Sequence, residues 1–78
     1  MKVEIFGSGC PKCNAMEKMV FNTLAGLDIS ADVTKIKDIK EMVRRSIMLT
    51  PALFVNGVKR CEGRLPSAAE LQQWLKEG

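Results

Sequence analysis

The sequence predicts a small mixed α/β fold with the element order β-α-β-α-β-β-α, and three observations carry that expectation. An apolar run, Val3 to Phe6, passes through glycines into a helical repeat that opens at Pro11. A second alternating stretch, 29–36, follows that helix, so the first two strands should be parallel and joined by a crossover. Asn56-Gly57 separates two further strand-like runs, and this pair favours a two-residue turn with both φ angles positive. The result is a four-stranded mixed sheet with three helices, placed on both of its faces.

The length of 78 residues fits one domain, 1–78, with a modest core. The net charge of +3 comes from basic residues scattered along the chain apart from Arg44-Arg45, so nucleic acid is not an expected partner. No stretch approaches the roughly 20 apolar residues of a membrane helix. Met1 leads almost directly into the first strand with no long apolar segment, so no signal peptide and a cytoplasmic location are expected. The three cysteines are an odd number, which argues against a fully paired disulfide framework. With no histidine, a Cys/His zinc site and a Cys–His catalytic pair are both excluded within this chain.

Along the first strand Val3 and Ile5 point one way and Glu4 and Phe6 the other. The helix from Pro11 repeats Ala15, Met16, Met19, Val20, Phe21 and Leu24 at spacings of three and four, and Gly26 reads as its C-terminal stop. Met16 and Met19 read as adaptable core filling, not as soft-metal ligands. Strand 29–36 alternates Ile29, Ala31 and Val33 with Ser30, Asp32 and Thr34, the pattern of a half-buried strand near a sheet edge. Asp38 and Glu41 stand at capping-box spacing before a short helix with Ile39, Met42, Val43 and Ile47 inward, ended by Leu49-Thr50-Pro51. Strands 52–55 and 58–61 form the hairpin. Ser67 and Glu70 make a second capping box for a closing helix that turns Ala68, Leu71, Trp74 and Leu75 inward.

The chemistry sits in Gly7-Ser8-Gly9-Cys10-Pro11-Lys12-Cys13, at the carboxyl end of the first strand. The glycines permit a turn at positive φ, and Pro11 suits the first helical position. Cys10 then falls at or beside the N-cap, where unpaired N–H groups and the helix dipole favour a thiolate. Cys13 follows one turn later on the same face, within reach of a disulfide. An acidified thiol backed by a second thiol is suited to thiol–disulfide exchange. A Cys10–Cys13 staple would close too short a loop to stabilise the fold, so chemistry explains the pair better. Lys12 reads as solvated, with modest electrostatic support for the thiolate. Cys61, at the end of the last strand, reads as a small half-buried hydrophobe.

With GSGCPKC, the distant Thr50-Pro51, Phe54-Val55-Asn56-Gly57 and this element order, the whole chain resembles the thioredoxin superfamily. It is most similar to its small, glutaredoxin-sized redox-active disulfide proteins. The resemblance implies a thioredoxin-like α/β fold and a protein-disulfide reductase that needs no bound cofactor and no metal. It implies that Cys10 is the nucleophile and that Cys13 resolves the mixed disulfide. It further implies that Pro51 is preceded by a cis bond and shapes the docking groove, and that the Thr50 backbone pairs with the substrate. By the same resemblance, Pro11 and Lys12, between the cysteines, are expected to tune the reduction potential. Glu4, six residues before Cys10, matches the buried acid of ordinary thioredoxins and could relay a proton to Cys13; alternatively it lies on a partly exposed face. The expected partners are disulfide-containing proteins and an electron donor, either a reductase or glutathione, with the chain acting as a monomer.

Two alternatives stand beside this one. A glutaredoxin-type, glutathione-linked reductase fits the C-P-x-C style of the motif. A Cu(I)-transfer module fits the superficial likeness to the G-M-x-C-x-x-C loop of heavy-metal-associated domains. That family has a β-α-β-β-α-β order, and here Ser8 replaces its Met.

Overall fold

The computed structural model describes residues 1–7 and 11–77. The elements are β1 (Lys2–Phe6), α1 (Pro11–Leu27), β2 (Asp32–Ile36), α2 (Ile39–Arg44), β3 (Ala52–Val55), β4 (Val58–Glu62) and α3 (Ala68–Glu77). They form a four-stranded mixed sheet in the order β2-β1-β3-β4. β1 runs parallel to β2 and antiparallel to β3, and β3 runs antiparallel to β4. This is the thioredoxin-like α/β fold that the sequence predicts, with β2 at an edge.

Side-chain alternation along β1 divides the core into two layers. Val3 and Ile5, with Leu53 and Val55 of β3, meet Met16, Val20 and Leu24 of α1 and Leu71 and Leu75 of α3. Phe6, Ala52 and Phe54 face the other way and meet Met42 and Ile47. β3 is buried along its whole length because both faces are covered. None of the helices among the described residues is long and apolar enough to cross a membrane.

Local chemistry explains most boundaries. Asn56 and Gly57 both have positive φ, as the hairpin requires. Asn56 also exchanges bonds with Lys2, donating to its carbonyl at 2.7 Å and accepting from its N–H at 2.9 Å. The Ser67–Glu70 capping box is reciprocal, with Glu70 N–H on Ser67 Oγ at 3.1 Å and Ser67 N–H on Glu70 Oε1 at 3.0 Å. Asp38 caps α2 through the Lys40 N–H.

Several local expectations change: β2 begins only at Asp32 instead of Ile29, and Ala68 of α3 is exposed instead of inward. α1 runs through Gly26, and Asp28 takes the left-handed conformation at φ 55, with Asp28 N–H on Ala25 O and Ile29 N–H on Leu24 O. That is a Schellman motif with Asp in place of Gly. α2 ends the same way at Ser46 (φ 58), well before Pro51. Met42 of α2 and Ile47 just beyond it are buried together against Phe6, Ala52 and Phe54, which leaves Ile39 and Val43 exposed instead of inward. Phe21 is also exposed, because the buried face of α1 is Cys13, Met16, Val20 and Leu24.

Candidate active site

The site is assembled at the carboxyl end of β1. Phe6 pairs with Ala52, and Ala52 pairs with Glu62, so the segments just beyond these residues arrive at one end of the sheet. They are Gly7 after β1, Thr50-Pro51 before β3, and Gly63 after β4. Gly7 N–H extends the pairing with β2 by donating to Ile36 O at 3.0 Å, and Gly63 N–H donates to Pro51 O at 2.8 Å.

α1 opens at Pro11, as expected for a residue that fits the first helical turn. Cys13 lies in that first turn and is fully buried. A Cβ placed on Gly7 would collide with Cys13 Sγ and stand 2.9 Å from Cys13 Cβ. Gly7 is therefore required by the close approach of the Cys13 side chain. It is not one of the positive-φ glycines, which among the described residues are Gly57 and Gly63. The sequence pointed to a flexible turn; the structure shows a steric slot for the second thiol. Cys10, with Ser8 and Gly9, lies outside the described residues, as does its expected N-cap position. Pro11 and Lys12 are exposed.

The Thr50–Pro51 bond is cis, with Thr50 exposed and Pro51 buried. Met48 and Leu49, just before it, are exposed apolar residues.

Glu4 is buried, not partly exposed. It shares the face of β1 that carries Phe6, away from the α1 layer. Both carboxylate oxygens hold Arg45, with Oε1 accepting from one terminal nitrogen at 3.2 Å and Oε2 from the other at 3.0 Å. The Arg45 guanidinium carbon lies 5.6 Å and 5.3 Å from the ring centres of Phe6 and Phe54. Its Nε reaches Glu41 at 3.4 Å. Bonding to Glu4, more than any other effect, pushes Arg45 above its ordinary pKa. This ion pair ties the end of α2 to the central strand.

Cys61 is a buried thiol whose Sγ donates weakly to Arg64 O at 3.8 Å. Burial pushes its pKa up, which disfavours the thiolate.

Glu62 is a residue that sequence reasoning passed over. Its carboxylate accepts from Met48 N–H, Leu49 N–H and Lys59 Nζ, and these bonds lower its pKa to about 2, the Lys59 contribution being largest. The sequence signal that could have found it is an acidic residue closing the last strand directly before Gly63.

Comparison with known proteins agrees with this geometry. A family model described as a thioredoxin domain matches residues 1–76. A thioredoxin of Methanocaldococcus jannaschii is 35% identical over 74 residues, covering 95% of this chain and 85% of that protein. A thioredoxin of Methanothermobacter thermautotrophicus is 32% identical over 75 residues, covering 96% and 97% respectively. The solved structure of thioredoxin 1 from Thermosipho africanus superposes with a TM-score of 0.67 at 20% identity, covering 99% of this chain and 92% of that one, which speaks to the fold. With the strand–motif–helix start, the cis Thr50–Pro51 bond and the buried second thiol, the match along nearly the whole chain establishes that this protein belongs to the thioredoxin family.

Proposed function

We propose that the chain is a thioredoxin-type thiol–disulfide oxidoreductase working through Cys10 and Cys13. The observation that carries this reading is the fully buried Cys13 thiol lodged against Gly7, at the sheet end where Thr50-Pro51 also arrives. A second thiol held out of solvent is suited to attack a neighbouring sulfur and poorly suited to compete for substrate.

The Cys10 thiolate attacks one sulfur of a substrate disulfide and forms a mixed disulfide. The other substrate sulfur leaves as a thiolate and takes up a proton. Cys13, once deprotonated, attacks the Cys10 sulfur, closing the Cys10–Cys13 disulfide and releasing the second substrate thiol. The substrate gains two electrons and the chain loses two, which a reductase restores. Thr50 offers its backbone to the extended substrate, and Pro51 shapes the groove beside the thiols. Pro11 opens the helix at the reactive end, and Lys12 adds positive charge there. Glu4 supports the site by anchoring α2 through Arg45.

Trapping tests this directly. Cys13→Ser should accumulate a mixed disulfide on Cys10 when mixed with insulin, while Cys10→Ser should neither trap nor reduce it. Full insulin reduction by Cys10→Ser would overturn the mechanism.

A further inference from the structure

The pairing of β3 with β4 slips between Leu53 and Phe54: Leu53 faces Cys61, but Phe54 faces Lys59. Arg60 is therefore an extra residue on β4, a β-bulge that shifts the face alternation by one. An unbroken strand would point Lys59 and Glu62 to opposite faces. The bulge puts both on the face that carries Phe54 and Ala52, beneath the segment leading to Thr50.

Ile47 before this segment and Pro51 after it are buried, but the residues between them are exposed. α2 has already ended at Ser46, and Met48 and Leu49 are 88% and 62% exposed, so their own burial does not fix the backbone. Instead, Glu62 Oε2 accepts from both Met48 N–H at 2.8 Å and Leu49 N–H at 3.0 Å. Glu62 Oε1 accepts from Lys59 Nζ at 2.7 Å, and the same ammonium reaches Ser46 O at 3.4 Å. Gly63 completes the clamp. At φ +75 it bonds Pro51 O, and a Cβ added there would stand 2.9 Å from Leu49 Cβ.

We propose that Glu62 is a positioning residue for substrate docking: its carboxylate, aimed by the β4 bulge, sets the Met48–Leu49 backbone and thereby the presentation of Thr50 to an extended disulfide substrate. This deepens the proposed function and rests on the docking role of Thr50. Two backbone N–H groups on one carboxylate are charge-assisted bonds, stronger than neutral ones. Glu62→Gln retains an acceptor oxygen and loses the charge; Glu62→Ala loses both.

The kinetic test compares insulin with a small aromatic disulfide that has no peptide backbone to dock. Glu62→Ala should raise KM for insulin about tenfold, as loss of charge-assisted bonding implies. Its kcat and its rate on the small disulfide should stay unchanged, and Glu62→Gln should recover part of the KM. Equal losses on both substrates, or no loss on insulin, would overturn the proposal.

A second measurement separates this role from the docking reading beneath it. A peptide is disulfide-linked to Cys10 in Cys13→Ser protein, and the Thr50 amide resonance is followed by NMR. A shift with Glu62 present that is lost in Glu62→Ala supports the positioning role. The same shift in both proteins rejects it while leaving docking intact. No shift in either removes the docking role of Thr50, and the positioning role with it.

Discussion

Gly7 and Cys13 share one small volume: the space a Cβ would take on Gly7 is filled by the Cys13 thiol. Gly7→Ala should therefore displace the second cysteine. Overpacking of this kind costs about 1–3 kcal/mol. Urea denaturation should show a loss in that range, and resolution of a mixed disulfide on Cys10 should slow. An unchanged resolution rate would show that the slot does not set the position of the thiol.

Gly26 is the contrasting glycine. It lies inside α1 on an exposed face, and a Cβ there meets nothing within 4 Å. Gly26→Ala should stabilise the protein by about 0.5–1 kcal/mol, chiefly by restricting the unfolded chain. Thermal melting should register a rise of about 2–8 °C, with insulin reduction unaffected.

Cys61 should be a bystander. Its burial raises the thiol pKa, so little thiolate is present at neutral pH. Brief alkylation at pH 7 should modify Cys10 first, and mass spectrometry should find Cys61 labelled only after denaturant is added. Cys61→Ala should retain insulin reduction. Early labelling of Cys61, or loss of activity in the variant, would bring it into the mechanism.

Arg45 and Glu4 should be strongly coupled. Arg45→Met leaves the Glu4 carboxylate buried beside Phe6 with its bidentate partner gone, an arrangement more costly than removing both charges. The melting temperature at pH 7 should fall further in Arg45→Met than in the double variant Glu4→Gln/Arg45→Met. The rate of mixed-disulfide resolution in Glu4→Gln, measured across pH, then separates anchoring from proton relay: anchoring leaves its pH profile in place.

Glu70 gives a pH dependence of defined sign. Arg64, and after it Ser67, hold its carboxyl at about 2 against an ordinary value of 4.5. Because the folded-state pKa is depressed, the stabilisation is fully present above the ordinary value and is lost as pH falls from there toward 2. The melting difference between wild type and Glu70→Gln should be largest above about pH 5 and shrink steadily as pH falls to and through about 2. The pair is exposed, so added salt should shrink the difference.

The sequence by itself determined whatever depends on residues a few positions apart. The period of two in β1 and of three to four in α1, the Asn56-Gly57 turn and the Ser67–Glu70 box all act over short spans, as does the placing of Cys13 in the first turn of a helix that opens at Pro11. Even the misread ends of α1 and α2 are local features, where Asp28 and Ser46 adopt the left-handed conformation usually left to glycine. Other relationships belong to the tertiary structure alone. Arg45 reaches Glu4 across 41 positions because α2 packs on one particular face of β1. Glu62 reaches Met48 across 14 positions because one extra residue in β4 turns it to the other side of the sheet. Gly7 is needed for its missing Cβ only once α1 has packed Cys13 against it. A bulge or a packing face is chosen by the summed contacts of the whole core, and no short window of sequence contains that sum.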